Sequence, residues 1–352
     1  MPATSTRSYL GDMPALLQWL SLVVAAGVSG QLLAAAQVPA GRFLGPMVVA
    51  IVFAVGGCTV RLPKFAFKGG QSVIGLLAAH SMSAAVLLEM GQTWPIMLLA
   101  TVCTIALSLL VGIAMARFGD LPGTTAIWGS APGAASAMIS MAEEYGADAR
   151  VVATMQYVRV VCVVLTGALA SHVLGVATTH APGVAPSLHT WPLMGCLAVI
   201  AIGVRFGERM PAGALLIPLV LGAALQIGGV LTIALPDWFT SLAMAAIGAY
   251  VGLRFDRKTV LYVLRRLPSM IACSILLIIA SAGLAYGIAH LLGKDYLSVY
   301  LATSPGGLDS MAIIAVDSQA DVSLVLAMQA LRLFAVILVG PYLLKRVIVW
   351  MA

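Results

Sequence analysis

The sequence predicts an all-α polytopic membrane protein made of two inverted repeats, each with about five transmembrane helices and one Pro-Gly-tipped re-entrant hairpin, about ten spans in total. Three observations carry this. The chain is too poor in charge to cover a water-facing surface, a long block of it recurs 173 residues later, and its basic loops change place between the two copies.

Of 352 residues, 61% are hydrophobic and 9% charged, with a mean hydropathy of +1.04. Soluble domains carry roughly 25% charged residues, so a water-soluble globule is excluded and the bilayer is the first expected partner. The pI of about 9.2 invites a nucleic-acid reading. Lys and Arg that collect in cytoplasmic loops account for it, and no nucleic-acid partner is expected. Residues 1–13 are polar and the first apolar run continues as a span, so they read as a short cytoplasmic segment rather than a cleaved leader. Five cysteines stand singly in apolar runs with neither metal nor redox spacing.

Apolar runs long enough to cross lie near 14–37, 43–60, 70–90, 94–116 and 150–174, and again near 190–204, 213–234, 239–253, 269–292 and 322–344. Two further apolar segments, 119–147 and 295–319, are broken in the middle by Pro-Gly and form the hairpins. Repeat 1 then occupies 14–175, a linker 176–189, and repeat 2 190–352.

The repeat is clearest between "SAPGAASAM…GAD…MQYVR" (from Ser130) and "TSPGGLDSM…AD…MQALR" (from Thr303). Thirteen of 38 aligned positions from Ser130–Gly167 and Thr303–Gly340 are identical. Upstream, "AGRFLGP" at Ala40–Pro46 resembles "AGALLIP" at Ala212–Pro218, and Ile74–Gly75 matches Ile247–Gly248. In copy one the basic loop (Arg61, Lys64, Lys68) lies between spans two and three; in copy two it lies between spans three and four (Arg254, Arg257, Lys258, Arg265, Arg266). Cytoplasmic loops collect positive charge, so this flip is what inversion produces. With both termini cytoplasmic and the hairpins re-entrant, fifteen of the nineteen basic residues fall inside and two outside. Two more, Arg159 and Arg332, fall within the membrane. The expected location is a bacterial-type inner membrane, multi-pass.

Irregular backbone at membrane depth is tolerated only inside protein or beside a water-filled cavity. The tips Ser130, Pro132, Gly133 and Thr303, Ser304, Pro305, Gly306 are therefore expected between helices near the midplane. Helices leaving each tip, about 134–145 and 307–317, would aim their positive N-termini inward. Ser136 and Asp309, with Ser310, follow the tips. Asp148 and Asp321 are N-cap candidates for the last span of each copy. Arg159 and Arg332 lie eleven residues beyond them, roughly 16 Å at about 1.5 Å per residue, which is half of a ~30 Å hydrocarbon core. Gln156 and Gln329 sit one turn earlier on the same face. Charged groups at that depth point to function. Two guanidiniums and two helix N-termini favour an anion, and a guanidinium suits a carboxylate. The expectation is a small anionic solute bound between the tips, with alternating access. A second reading has the arginines lock the hairpins by bonding their carbonyls or Asp309. Both can hold together. No cofactor is expected beyond a coupling H+ or Na+, between which the sequence does not choose; it also leaves open a homodimer.

These blocks resemble the AbrB family of membrane proteins, over nearly the whole chain. The resemblance implies two copies of one membrane domain. Family members are named as regulators of gene expression or carry the label ammonia monooxygenase. A membrane-embedded regulator or sensor on a transporter-like fold is thus the alternative function. An oxygenase needs clustered metal ligands, whereas His172, His180 and His189 fall at a span end and in a loop, so neither an enzyme nor a metal site is expected. Copy one departs from the glycine-rich tip with Ala134 where copy two has Gly307, and Ser136 replaces the acid.

Overall fold

The computed structural model describes residues 13–352 apart from 37, 39, 81, 83, 119–122, 133–137, 139–141, 143–145, 174–189, 210–212, 256 and 352. Every regular element among them is helical. Gly133, Ser136, Ala134, residues 1–12 and the linker with His180 and His189 lie outside the described residues.

The chain opens with α1 (Ala15–Ala35), α2 (Gly41–Val55), α3 (Lys64–Ala79), α4 (Ala84–Phe118), α5 (Gly123–Ser130) and α6 (Ala149–Val173). It continues with α7 (Thr190–Phe206), α8 (Gly213–Ile227), α9 (Asp237–Gly252), α10 (Arg257–Val263), α11 (Leu267–Leu292), α12 (Tyr296–Thr303), α13 (Leu308–Asp317) and α14 (Val322–Met351). Among the described residues four stretches are long and apolar enough to cross a membrane: Ala15–Ala35, Gly91–Phe118, Ala149–Val173 and Val260–Leu292. α2, α3, α8 and α9 have only 15 or 16 residues. At about 1.5 Å per residue that is roughly 23 Å, short of the ~30 Å apolar slab.

Two drawn spans shift. The run 70–90 is divided, because α3 ends at Ala79 and α4 starts at Ala84. The expected break near 91–93 is absent: α4 runs through Gly91 and Pro95 for 35 residues. Proline lacks one amide donor and tilts a helix without ending it where neighbouring packing holds the chain.

The helices pack in two groups. α1, α2, α3, α7, α8 and α9 form one body, in which α2 lies against α9 and α3 against α8. α4, α5, α6, α11, α12, α13 and α14 form the other. Across the seam α13 packs on α3 and α10 on α2. The α3–α8 and α2–α9 crossings are close enough to require glycine. A Cβ on Gly75 would stand 2.1 Å from the Leu215 carbonyl oxygen, and one on Gly248 would stand 2.3 Å from that of Phe43. These are the two Ile-Gly pairs, each at a backbone-to-backbone contact that only a missing side chain permits. Bulky aliphatics such as Leu20, Val23, Leu110, Val220 and Ile279 point outward on the opposite faces, where lipid would meet them.

Candidate functional site

The chain after α5 and α12, and the starts of α6 and α14, are held by the same devices. At the base, the Asp148 carboxylate accepts from the backbone amides of Arg150 and Val151 (3.0 and 3.3 Å). Asp321 does the same for Leu324 at 3.0 Å. Both are N-caps, which satisfy amides that have no partner within the helix. The Asp148 amide donates to Thr125 and the Asp321 amide to Ser298, residues at equivalent positions.

At the tip, the arginines grip backbone carbonyls. Arg159 donates through Nη1 to the carbonyls of Ser130 and Ala131 (3.2 and 3.0 Å), and through Nη2 to Gln156 Oε1 at 2.6 Å. Arg332 donates to the carbonyls of Ser304 (2.5 Å) and Gly306 (2.9 Å) and to Gln329 Oε1. Gln156 in turn donates to the carbonyls of Trp128, Gly129 and Ala131, and Gln329 to those of Leu301 and Ser304. α5 and α12 end at these carbonyls, and the last carbonyls of a helix carry partial negative charge with no partner in the helix. Each guanidinium therefore acts as a cationic C-cap on a half-helix, with charge-assisted bonds worth about 1.5–3 kcal/mol apiece. The bonding to carbonyls expected of the arginines is present at the ends of both α5 and α12.

The tip hydroxyls serve the helices as well. Ser130, Thr303 and Ser304 donate to the carbonyls of Ile127, Val299 and Leu301 in their own preceding turns (3.1, 2.8 and 3.1 Å). With Pro132 and Pro305 they are buried and stand behind the cavity described next rather than on its wall.

That cavity, about 570 Å³, lies between the two bodies. Seven of the expected residues line it: Gln156, Arg159, Gly306, Asp309, Ser310, Gln329 and Arg332. Both Gln/Arg pairs thus meet at one space. Among the described residues neither arginine has a carboxylate partner. Arg159 is 4% exposed, yet its Nε has no hydrogen-bond partner. An orphan donor in a buried site carries a desolvation cost of about 1–3 kcal/mol, which an acceptor entering the cavity would relieve.

Gln71 of α3 is a site residue that the sequence repeat does not mark. Its amide donates to Asp309 Oδ1 at 3.0 Å, joining one body to the other. Its equivalent in copy two is Met244, so a search for matched polar pairs does not find it. From Gln71 the cavity extends to the exposed residues Lys64, Glu208 and Arg254 and to Lys68 and Tyr250. There Lys68 pairs with Glu208 and holds its carboxyl below the usual carboxylate range. Phe67 stacks on Tyr250 at 4.2 Å between centroids. The depth of the cavity carries two guanidiniums against one carboxylate, and the mouth three cations against one. Field lines focused by such a cleft raise the local concentration of anions.

Residues 43–348 match the family described as "Transition state regulatory protein AbrB". The chain is 40% identical over 331 residues to a protein of Escherichia coli (strain K12) named "Putative regulator AbrB", covering 93% of this chain and 95% of that one. It is 27% identical over 352 residues to "Uncharacterized protein YhjN" of Bacillus subtilis (strain 168), covering 92% and 91%.

Proposed function

The chain belongs to the AbrB family of membrane proteins, and from that premise we propose that it is a secondary transporter of a small carboxylate-like anion. The observation that carries the proposal is the convergence of Arg159, Arg332 and Asp309 on one cavity, with both guanidiniums free of carboxylate partners among the described residues. Arginines that already hold the hairpin tips keep a fixed position, so their remaining positive potential is preorganised for an anion. The two bodies supply surfaces that can rock about the site, the usual form of alternating access in folds with repeated units.

The reading includes an inner-membrane topology of ten spans and two re-entrant hairpins in inverted repeats. Contacts support it by grouping the loops as that sidedness requires. On the assigned inner face Gln18 accepts from the Thr59 amide (2.9 Å), Lys68 pairs with Glu208, and Tyr262 donates to Asp148 (3.0 Å). On the assigned outer face the Ala40 amide donates to Asp317, Gln226 donates to the His80 carbonyl (3.0 Å), and Lys294 pairs with Asp321 at 3.0 Å. The basic mouth of the cavity then faces the cytoplasm.

A second reading, a membrane-bound regulator that senses the same anion, draws on the name of the Escherichia coli relative. One experiment bears on both. Thermal stabilisation of the purified protein is measured against acetate, lactate, succinate, citrate, phosphate and sulfate, followed by uptake of any stabilising anion into proteoliposomes. Stabilisation with uptake supports transport; stabilisation without uptake in either direction favours the sensor. No stabilisation by any anion refutes the anion site.

A further inference from the structure

The cavity is asymmetric in a way that bears on what moves with the anion. Copy two presents a carboxylate, Asp309, in the first turn of α13, and copy one has Ser136 at the equivalent position. Apart from Glu208 at the mouth, the titratable and charged groups around Asp309 are donors or cations. α3 brings Gln71, with Lys64 and Lys68 further toward the mouth; α14 brings Gln329 and Arg332; α6 brings Gln156, Tyr157 and Arg159. α12 contributes Tyr296 and Tyr300, whose hydroxyls turn away to the Ala282 carbonyl (3.2 Å) and to Thr166 (3.5 Å). Glu208, Tyr250 and Arg254 line the mouth. A sodium ion needs a shell of several oxygen acceptors, as other hard cations do. Asp309 instead has an amide N–H on Oδ1 and guanidiniums across the cavity. A proton needs only one free oxygen, and Oδ2, which has no hydrogen-bond partner among the described residues, supplies it.

The Asp309 carboxylate shares the cavity with Arg159 and Arg332 but forms an ion pair with neither. An anion bound beside the arginines adds a second negative charge to the same cavity. Like charges at close range raise one another's proton affinity. We propose that Asp309 is the proton carrier of this transporter: the anion enters beside the arginines, one proton from water passes to Asp309 Oδ2, and anion and proton cross together. This rests on the anion reading above and selects H+ over Na+ as the coupling ion. Binding linkage is reciprocal, so anion affinity must rise as pH falls.

The test uses the full-length purified protein, with acetate and lactate as probes, by titration calorimetry between about pH 6 and 8, where carboxylates with ordinary pKa near 4 stay largely ionised. In wild type the affinity is expected to strengthen by about tenfold per pH unit of acidification, with about one proton taken up per anion. Proton uptake is read from the dependence of heat on buffer ionisation. Asp309→Asn mimics the protonated state and is expected to bind with an affinity that no longer varies with pH and with no proton uptake. Asp309→Glu keeps the slope and guards against a merely misfolded Asn variant. A slope that persists in Asp309→Asn, or a flat wild-type profile with Na+-dependent binding, overturns the proton role while leaving the anion site intact. Absence of binding by wild type at every pH overturns both, and is distinguishable because no heat appears at all.

Discussion

The side-chain amide of Gln71 donates to Asp309 across the seam between the two bodies, 3.0 Å from nitrogen to oxygen. The bond joins the short helix α3 to the first turn of the helix that leaves a hairpin tip. Any movement of one body over the other has to break it.

Gln71→Leu removes the only hydrogen bond that holds Asp309 Oδ1 among the described residues. An unpaired buried acceptor costs about 1–3 kcal/mol, so a Tm fall of a few degrees is expected at neutral pH. Gln71→Glu sets two carboxylates face to face and is expected to recover stability as pH falls, because one shared proton relieves the repulsion. Thermal unfolding from pH 5 to 8 separates the two: a Glu variant equal to the Leu variant at every pH contradicts the contact.

Arg159→Ala and Arg332→Ala each delete three hydrogen bonds to a hairpin tip and to its glutamine. Each buried acceptor left unpaired costs about 1–3 kcal/mol. Membrane insertion is expected to persist, with a lower Tm and no stabilisation by carboxylates. Lysine is not expected to rescue either position, since one ammonium cannot bridge two carbonyls and an amide oxygen as a planar fork does. Carboxylate stabilisation equal to wild type in both alanine variants refutes the site.

Gly75→Val and Gly248→Val place a branched side chain against the Leu215 and Phe43 carbonyls. Overpacking in a closed core costs about 1–3 kcal/mol and more when backbone must move. Both variants are expected to lower Tm more than Gly27→Val or Gly91→Val, where an added Cβ meets nothing within 4 Å. Equal effects at all four positions would contradict the close crossings.

Single cysteines introduced within 62–68 and 255–265, with the five native cysteines replaced, are expected to react with an impermeant thiol reagent only from the cytoplasmic side. A cysteine at Lys294 is expected to react only from the outside. Labelling of the 255–265 segment from outside in intact cells is incompatible with inverted repeats.

The hairpin locks were legible in the sequence because two copies wrote them at one spacing. Asp148 and Asp321, Gln156 and Gln329, and Arg159 and Arg332 are each a polar residue repeated where an apolar one would serve a plain span, and the structure gives all six hydrogen bonds at the ends of α5 and α12 or the starts of α6 and α14. The hydroxyls were harder to place. Ser130, Thr303 and Ser304 look like ligand groups in one dimension, but serine and threonine at helical positions readily bond back to the preceding turn. Gln71 carried no repeat signal, and its partner is 238 residues away. The α3–α4 boundary at residues 80–83 was hidden inside the apolar run 70–90, and the polar gap after that run is crossed by the continuous α4. Repetition exposes what both copies share; it conceals what one copy alone acquired, and the asymmetric Asp309–Gln71 contact belongs to the second kind.

The interleaving of α2 with α9 and α3 with α8 also sets an order of events during synthesis. α2 is complete at Val55, but its partner ends at Gly252, so the ribosome must add roughly 200 residues first, on the order of 10–40 s at typical elongation rates. Throughout that interval the glycine faces of the first half lie open in the bilayer or under an insertion chaperone. The halves are therefore not independent folding units, and fragments made separately should reach the native state only when they are present together in one membrane.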